Sequence, residues 1–179
     1  MIEDKDIKIA ESFTSRDKKI AEQTDNFSLD HKSVELGQKL GTDIAIQYIK
    51  ALTTQGPGVG EGTEEMLLQR QILLSFAAIS GFERFCGNPE YIAAAKNAFF
   101  SYLKINNPEF FPGATDNGAL SFYYLAFRRG GEVERRVGQT FAMLCSHDGD
   151  PVYQELGEAL YCWFTSTVKN AENKLSNNK

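Results

Sequence analysis

The chain has 179 residues, 42% hydrophobic and 24% charged, enough for one globular domain whose core needs neither a disulfide nor a metal staple. A net charge of −5 sets the surface against phosphate backbones, so nucleic acid is not an expected partner. Three cysteines, Cys86, Cys145 and Cys162, are odd in number and lack CxxC spacing, which argues against a disulfide framework and for reduced thiols.

The opening MIEDKD carries acids by position 3 and no apolar run, unlike a secretory signal, and the expected location is cytoplasmic. Across residues 1–28, Phe13, Ile20 and Phe27 recur every seven residues, with Ile2 and Ile9 on an adjacent line. Either a helical arm docking through a thin stripe or a loosely ordered terminus fits that spacing. The expected organisation is this arm followed by an all-helical domain over residues 29–179.

Ser28 or Asp30 is placed to cap a helix running to about Thr54. Its inner face reads Gly37, Leu40, Gly41, Ile44, Ala45, Tyr48, Ala51 and Leu52. Gly37, Gly41 and Ala45 stand one turn apart and form a smooth groove, although glycine inside a helix costs about 1 kcal/mol relative to alanine. The groove predicts a close helix crossing. The glycine-rich stretch Gly56–Gly62 lacks the lysine of a phosphate-binding loop, has Thr63 where a dinucleotide fingerprint needs its third glycine, and is followed by Glu64 and Glu65. It reads as a connector.

The next predicted helix, about Thr63 to Cys86, contains Ile72–Phe82, a stretch without charge and apolar on every side. Such a helix is one that others surround, and it is too short for a bilayer, which needs about 20 apolar residues. Ala77 and Gly81 stand one turn apart on it. If this helix folds back on the preceding one about Val59, Gly37 meets Gly81 and Gly41 meets Ala77, which predicts a close crossing at these four residues.

Cys86-Gly87-Asn88-Pro89-Glu90 ends one helix, caps the next with asparagine and starts it with proline. That helix is predicted from Pro89 to about Ile105, with Ile92, Ala95, Phe99 and Tyr102 inward. Asn106-Asn107-Pro108 breaks it, and the aromatic connector Pro108–Gly113 is expected to tuck Phe110 or Phe111 into the core. Thr115, Asp116 or Asn117 caps a further helix, ending before Gly130-Gly131. Another follows from about Glu132 to His147, with Val133, Val137, Phe141 and Leu144 inward. The last runs from Asp150 to about Leu175, its apolar face carrying Val152, Leu156, Leu160, Trp163, Phe164, Thr167 and Ala171. Tyr161 and Cys162 fall on its polar side, where an exposed aromatic would suit a subunit contact.

No segment alternates with period two, so the expected fold is all-α: a single array of about six helices, in three hairpins, around a buried central helix. The phrases Glu35–Leu40 and Glu155–Leu160 share a Leu-Gly pair, but the later positions of a tetratricopeptide repeat are missing.

Catalytic groups are scarce. His147-Asp148-Gly149-Asp150 is the one histidine–acid cluster, and each residue has a role in a helix-to-helix turn. Only two histidines exist, neither in a metal-binding spacing, so no metal or cofactor is expected. Cys145 lies at the end of an apolar face, where a thiol behaves as a small hydrophobe. The expected binding residues are Arg128, Arg129, Arg135 and Arg136, four arginines within nine residues, with Tyr123 and Tyr124 about one turn before them. The competing account is a solvated charge run in which Glu132 pairs with Arg136 at i, i+4. The expected function is a non-catalytic protein-interaction module that associates with itself or another protein. The alternative is a binder of a small apolar or aromatic ligand between helices, drawing on thirteen phenylalanines and seven tyrosines. An enzyme would need reactive groups converging from separate helices.

Overall fold

The computed structural model describes residues 31–53 and 64–177. The heptad arm over 1–28, the candidate caps Ser28, Asp30 and Thr63, and the loop Gly56–Gly62 lie outside the described residues. Within them every regular element is helical and no strand occurs. The elements are α1 (His31–Thr53), α2 (Glu64–Phe85), α3 (Pro89–Asn106), the single turn α4 (Phe111–Ala114), α5 (Asn117–Arg128), α6 (Val133–Leu144) and α7 (Pro151–Asn177). The protein is all-α.

Local chemistry sets the boundaries. Asn88 accepts a hydrogen bond from the Tyr91 backbone N–H at 2.8 Å, satisfying one orphan donor of α3, with Pro89 in the first turn. Of the three candidate caps for α5, Asp116 does the work, accepting from the Ala119 N–H at 3.0 Å. Gly130 and Gly131 take φ of +63° and +69°, which turns the chain between α5 and α6. Before α7, Gly149 takes φ +79° and Asp150 accepts from the Val152 N–H at 2.9 Å. Both Phe110 and Phe111 pack against the core from either side of the start of α4.

All eleven residues of Ile72–Phe82 are buried. Four elements enclose them. Phe82 meets Phe99 of α3, and the Ser75 hydroxyl donates to the Ala114 carbonyl of α4 at 2.7 Å. Phe76 stacks with Tyr123 of α5 and Tyr161 of α7, at centroid distances of 5.4 and 5.9 Å. Tyr124 and Phe127 present their edges to the same Phe76 ring. A second cluster, Tyr48, Phe99 and Phe164, ties α1 to α3 and α7. The C-terminal part of α1 is held to α2 by Arg70, whose guanidinium donates to the Ala51 carbonyl at 2.8 Å, and by the Tyr48 hydroxyl, which donates to the Gln71 carbonyl at 3.0 Å. Arg70 is buried, so its charge meets a helix C-terminal carbonyl rather than water.

Two expectations are corrected here. The Gly37–Gly41 groove does not take α2. A Cβ at Gly37 would lie 2.6 Å from the Tyr91 carbonyl oxygen and 2.7 Å from Ala94 Cβ, and one at Gly41 would collide with the Ala95 carbonyl, all on α3. The nearest atoms to Gly81 belong instead to Val168 of α7, 3.0 Å from such a Cβ. The physical reason is that α3 offers a small-residue face of its own, Ala94, Ala95 and Ala98, so two backbones approach where neither carries bulk. The face of α7 is also offset from the expected one. Gly157, Leu160, Tyr161, Phe164, Thr165 and Val168 are buried, whereas Val152 and Trp163 are exposed. Tyr161 is therefore a core residue, drawn inward by its stack on Phe76, and only Cys162 of that pair faces solvent.

Candidate functional site

The four arginines gather around the α5–α6 turn, but they divide by role. Arg136 donates from its guanidinium to the Gly130 carbonyl, closing the turn, and Arg135 pairs with Glu132 at 3.2 Å. The expected Glu132–Arg136 pair is thus replaced by an i, i+3 pair one residue earlier. Arg128 and Arg129 are exposed at the C-terminus of α5, where positive charge suits the carbonyl end of the helix. Tyr123 does not extend this surface: it is fully buried against Phe76. Tyr124 is half-buried, and burial, reinforced by Glu83, pushes its phenol up to about 12.

What the tertiary structure adds is a groove of about 430 Å³ between α5 and α6. Phe122, Leu125, Ala126, Arg129, Arg136, Gln139, Thr140, Met143 and Asp148 line it. Because α5 and α6 are joined by the short Gly130-Gly131 turn, Arg129 and Arg136 lie next to the turn, Phe122 and Met143 lie at levels farther from it along the two helices, and Asp148 follows the C-terminal end of α6. Phe122, Leu125 and Met143 are 47%, 55% and 42% exposed. Three large apolar side chains exposed side by side differ from the scattered exposure that any surface shows. The signal was present in the sequence. On the α5 wheel, Leu120, Tyr123 and Ala126 point inward, which leaves Phe122 and Leu125 outward in a run that has too many apolar residues for one face.

The groups considered for catalysis do not converge. Among the described residues, no set of three or more His, Cys, Asp or Glu side chains is placed to hold a metal ion. His147 stacks on Tyr153 with ring centroids 3.8 Å apart, and its Nδ1 is 3.9 Å from Asp150 Oδ2, so the cluster serves the turn into α7. Burial pushes the Cys86 thiol up to about 12, with a further contribution from Glu172, and the Cys145 thiol up to about 12, with a further contribution from Glu65. A thiol with so high a pKa is about one part in ten thousand thiolate at pH 8, and the thiolate is the reactive form. Titration of the native protein with a small alkylating reagent at pH 8 is therefore expected to modify Cys162 alone, with mass spectrometry finding Cys86 and Cys145 unmodified until denaturant is added.

A second cleft, of about 450 Å³, lies between α2, α3 and α5, with Ile79, Phe100, Leu120 and Tyr124 as its apolar lining. A small-molecule ligand would have this cleft available. Lys96, the one cation of that lining among the described residues, is already held by Glu83 at 2.6 Å.

The fold and the groove define an all-α protein that exposes an apolar furrow with charge at both ends, and among the described residues no helix is long and apolar enough to cross a membrane. Comparison with protein-family models, curated proteins and solved structures finds no match to this chain.

Proposed function

We propose that the protein is a non-catalytic helical interaction module that self-associates through the α5–α6 groove. The observation that carries this reading is the contiguous exposure of Phe122, Leu125 and Met143 in one furrow. Elsewhere the aromatic and aliphatic side chains of α5 and α6 are spent on the core around Phe76 and Phe141. Apolar anchors in a concave surface with a polar rim are the anatomy of a protein contact, and aromatic and methionine side chains are enriched there. Arg129, Gln139, Thr140 and Asp148 supply that rim.

Sedimentation of the wild-type chain is expected to show a concentration-dependent dimer. Leu125→Glu, at a position more than half exposed, places a charge in the furrow without disturbing the core and is expected to raise the dissociation constant by about tenfold or more. Ile105→Glu is the control, being 77% exposed and outside the furrow, and it should leave association unchanged. A wild-type chain that sediments as a monomer at every concentration overturns the reading.

A further inference from the structure

Charge is arranged unequally along the groove. Arg129 and Arg136 occupy the end beside the turn, while Asp148 lies toward the opposite end, past the Phe122–Met143 level. The Phe122 and Arg129 levels alone are seven residues apart on α5, about 10 Å along the helix. Arg129 and Asp148 are both exposed, and among the described residues neither takes part in an ion pair. The groove is therefore basic at one end, apolar in the middle and acidic at the other.

We propose that the occupant of the groove is a second copy of the chain, seated antiparallel about a two-fold axis between the Leu125 and Phe122 levels, with Arg129 of each copy against Asp148 of the other. This rests on the self-association reading and gives it an orientation. An isologous contact uses the same patch on both copies, and a two-fold axis running across the furrow brings one end of it onto the other end of its copy. For this furrow the antiparallel seating joins unlike charges twice and packs Phe122 and Met143 of each copy against Leu125 of the other. A parallel seating would face Arg129 and Arg136 with the same arginines, and like charges juxtaposed in an interface are strongly unfavourable. An acidic peptide would suit the arginine end but meet Asp148 at the other. Only an occupant with the same charge order, reversed, satisfies both ends, and the chain itself has it.

The test uses two single variants, Arg129→Glu and Asp148→Arg, each at an exposed position. Each variant alone sets like charges against each other at both ends and is expected to weaken self-association by about tenfold or more. Mixed in equal amounts they restore opposite charges at both ends, so association in the mixture should return to within about threefold of wild type. The double variant, with the charge order inverted, should dimerise alone to the same degree. A general effect on folding would leave the mixture as weak as its components. If wild type dimerises but neither the mixture nor the double variant recovers, the antiparallel seating is wrong while self-association stands. If wild type does not dimerise, both fall.

Discussion

Gly41→Ala is expected to destabilise the protein by about 2 kcal/mol or more, against the sign that helix propensity alone predicts. Alanine in a helix interior is favoured over glycine by about 1 kcal/mol, and it also narrows the unfolded ensemble. At Gly41 the added Cβ meets the carbonyl group of Ala95, with Ala98 Cβ 2.9 Å away. Main chain cannot rotate aside as the tip of a flexible side chain does, so α1 and α3 must separate. Overpacking of that kind costs about 1–3 kcal/mol and occasionally more. The loss spreads, because α1 holds Tyr48 edge-on to Phe99 and Phe164 and presents Ala51 to Arg70. The midpoint of urea unfolding measures it. Gly87→Ala, with nothing within 4 Å of the new methyl, is the control and should stay within about 0.5 kcal/mol. An increase in stability for Gly41→Ala would show that the two backbones do not meet there.

Phe76→Ala is expected to cost about 3–5 kcal/mol, the usual range for deleting a fully buried aromatic ring, out of a total stability of about 5–15 kcal/mol for a domain. The upper part of that range applies because four rings from α5 and α7 lean on Phe76. They cannot all follow it into the void without leaving their own packing. Near-UV circular dichroism should lose intensity along with the fall in denaturation midpoint, since Tyr123 and Tyr161 lose the ring that orders them. Phe122→Ala makes the contrast. Below the dissociation constant, where the chain is monomeric, the same truncation at a half-exposed ring on the neighbouring helix should change stability by less than about 1 kcal/mol. If Phe76→Ala proved as mild as Phe122→Ala, α2 would not be the centre of the core.

The special role of α2 was legible without coordinates, because eleven residues with no charge and no polar face can be accommodated only by burial on all sides. Its neighbours were less legible. The Gly37–Gly41 groove signals a close crossing, but adjacency in sequence does not decide which helix fills it. The better match was already present as Ala94, Ala95 and Ala98, a second smooth face one helix later. In the same way four arginines within nine residues mark the α5–α6 turn, and two of them, Arg128 and Arg129, stand at its exposed edge with no ion pair among the described residues. That Tyr123 belongs to the core and Phe122 to the furrow depends on a rotation of α5 that a run of consecutive apolar residues leaves undecided.

The sequence by itself determined the all-α class, the helix boundaries at Asn88, Asp116, Gly130-Gly131 and Asp150, and the burial of Ile72–Phe82. These follow from short-range physics: an asparagine or aspartate that satisfies the first orphan N–H groups, a glycine or proline that stops a helix, and the polarity around one helical wheel. Only the tertiary structure decided which helix fills the glycine groove, that Tyr161 turns inward, and that Phe122, Leu125 and Met143 line one furrow with Arg129 at one end and Asp148 at the other. Those outcomes depend on which faces the surrounding helices cover and which they leave open, and no single helix carries that information.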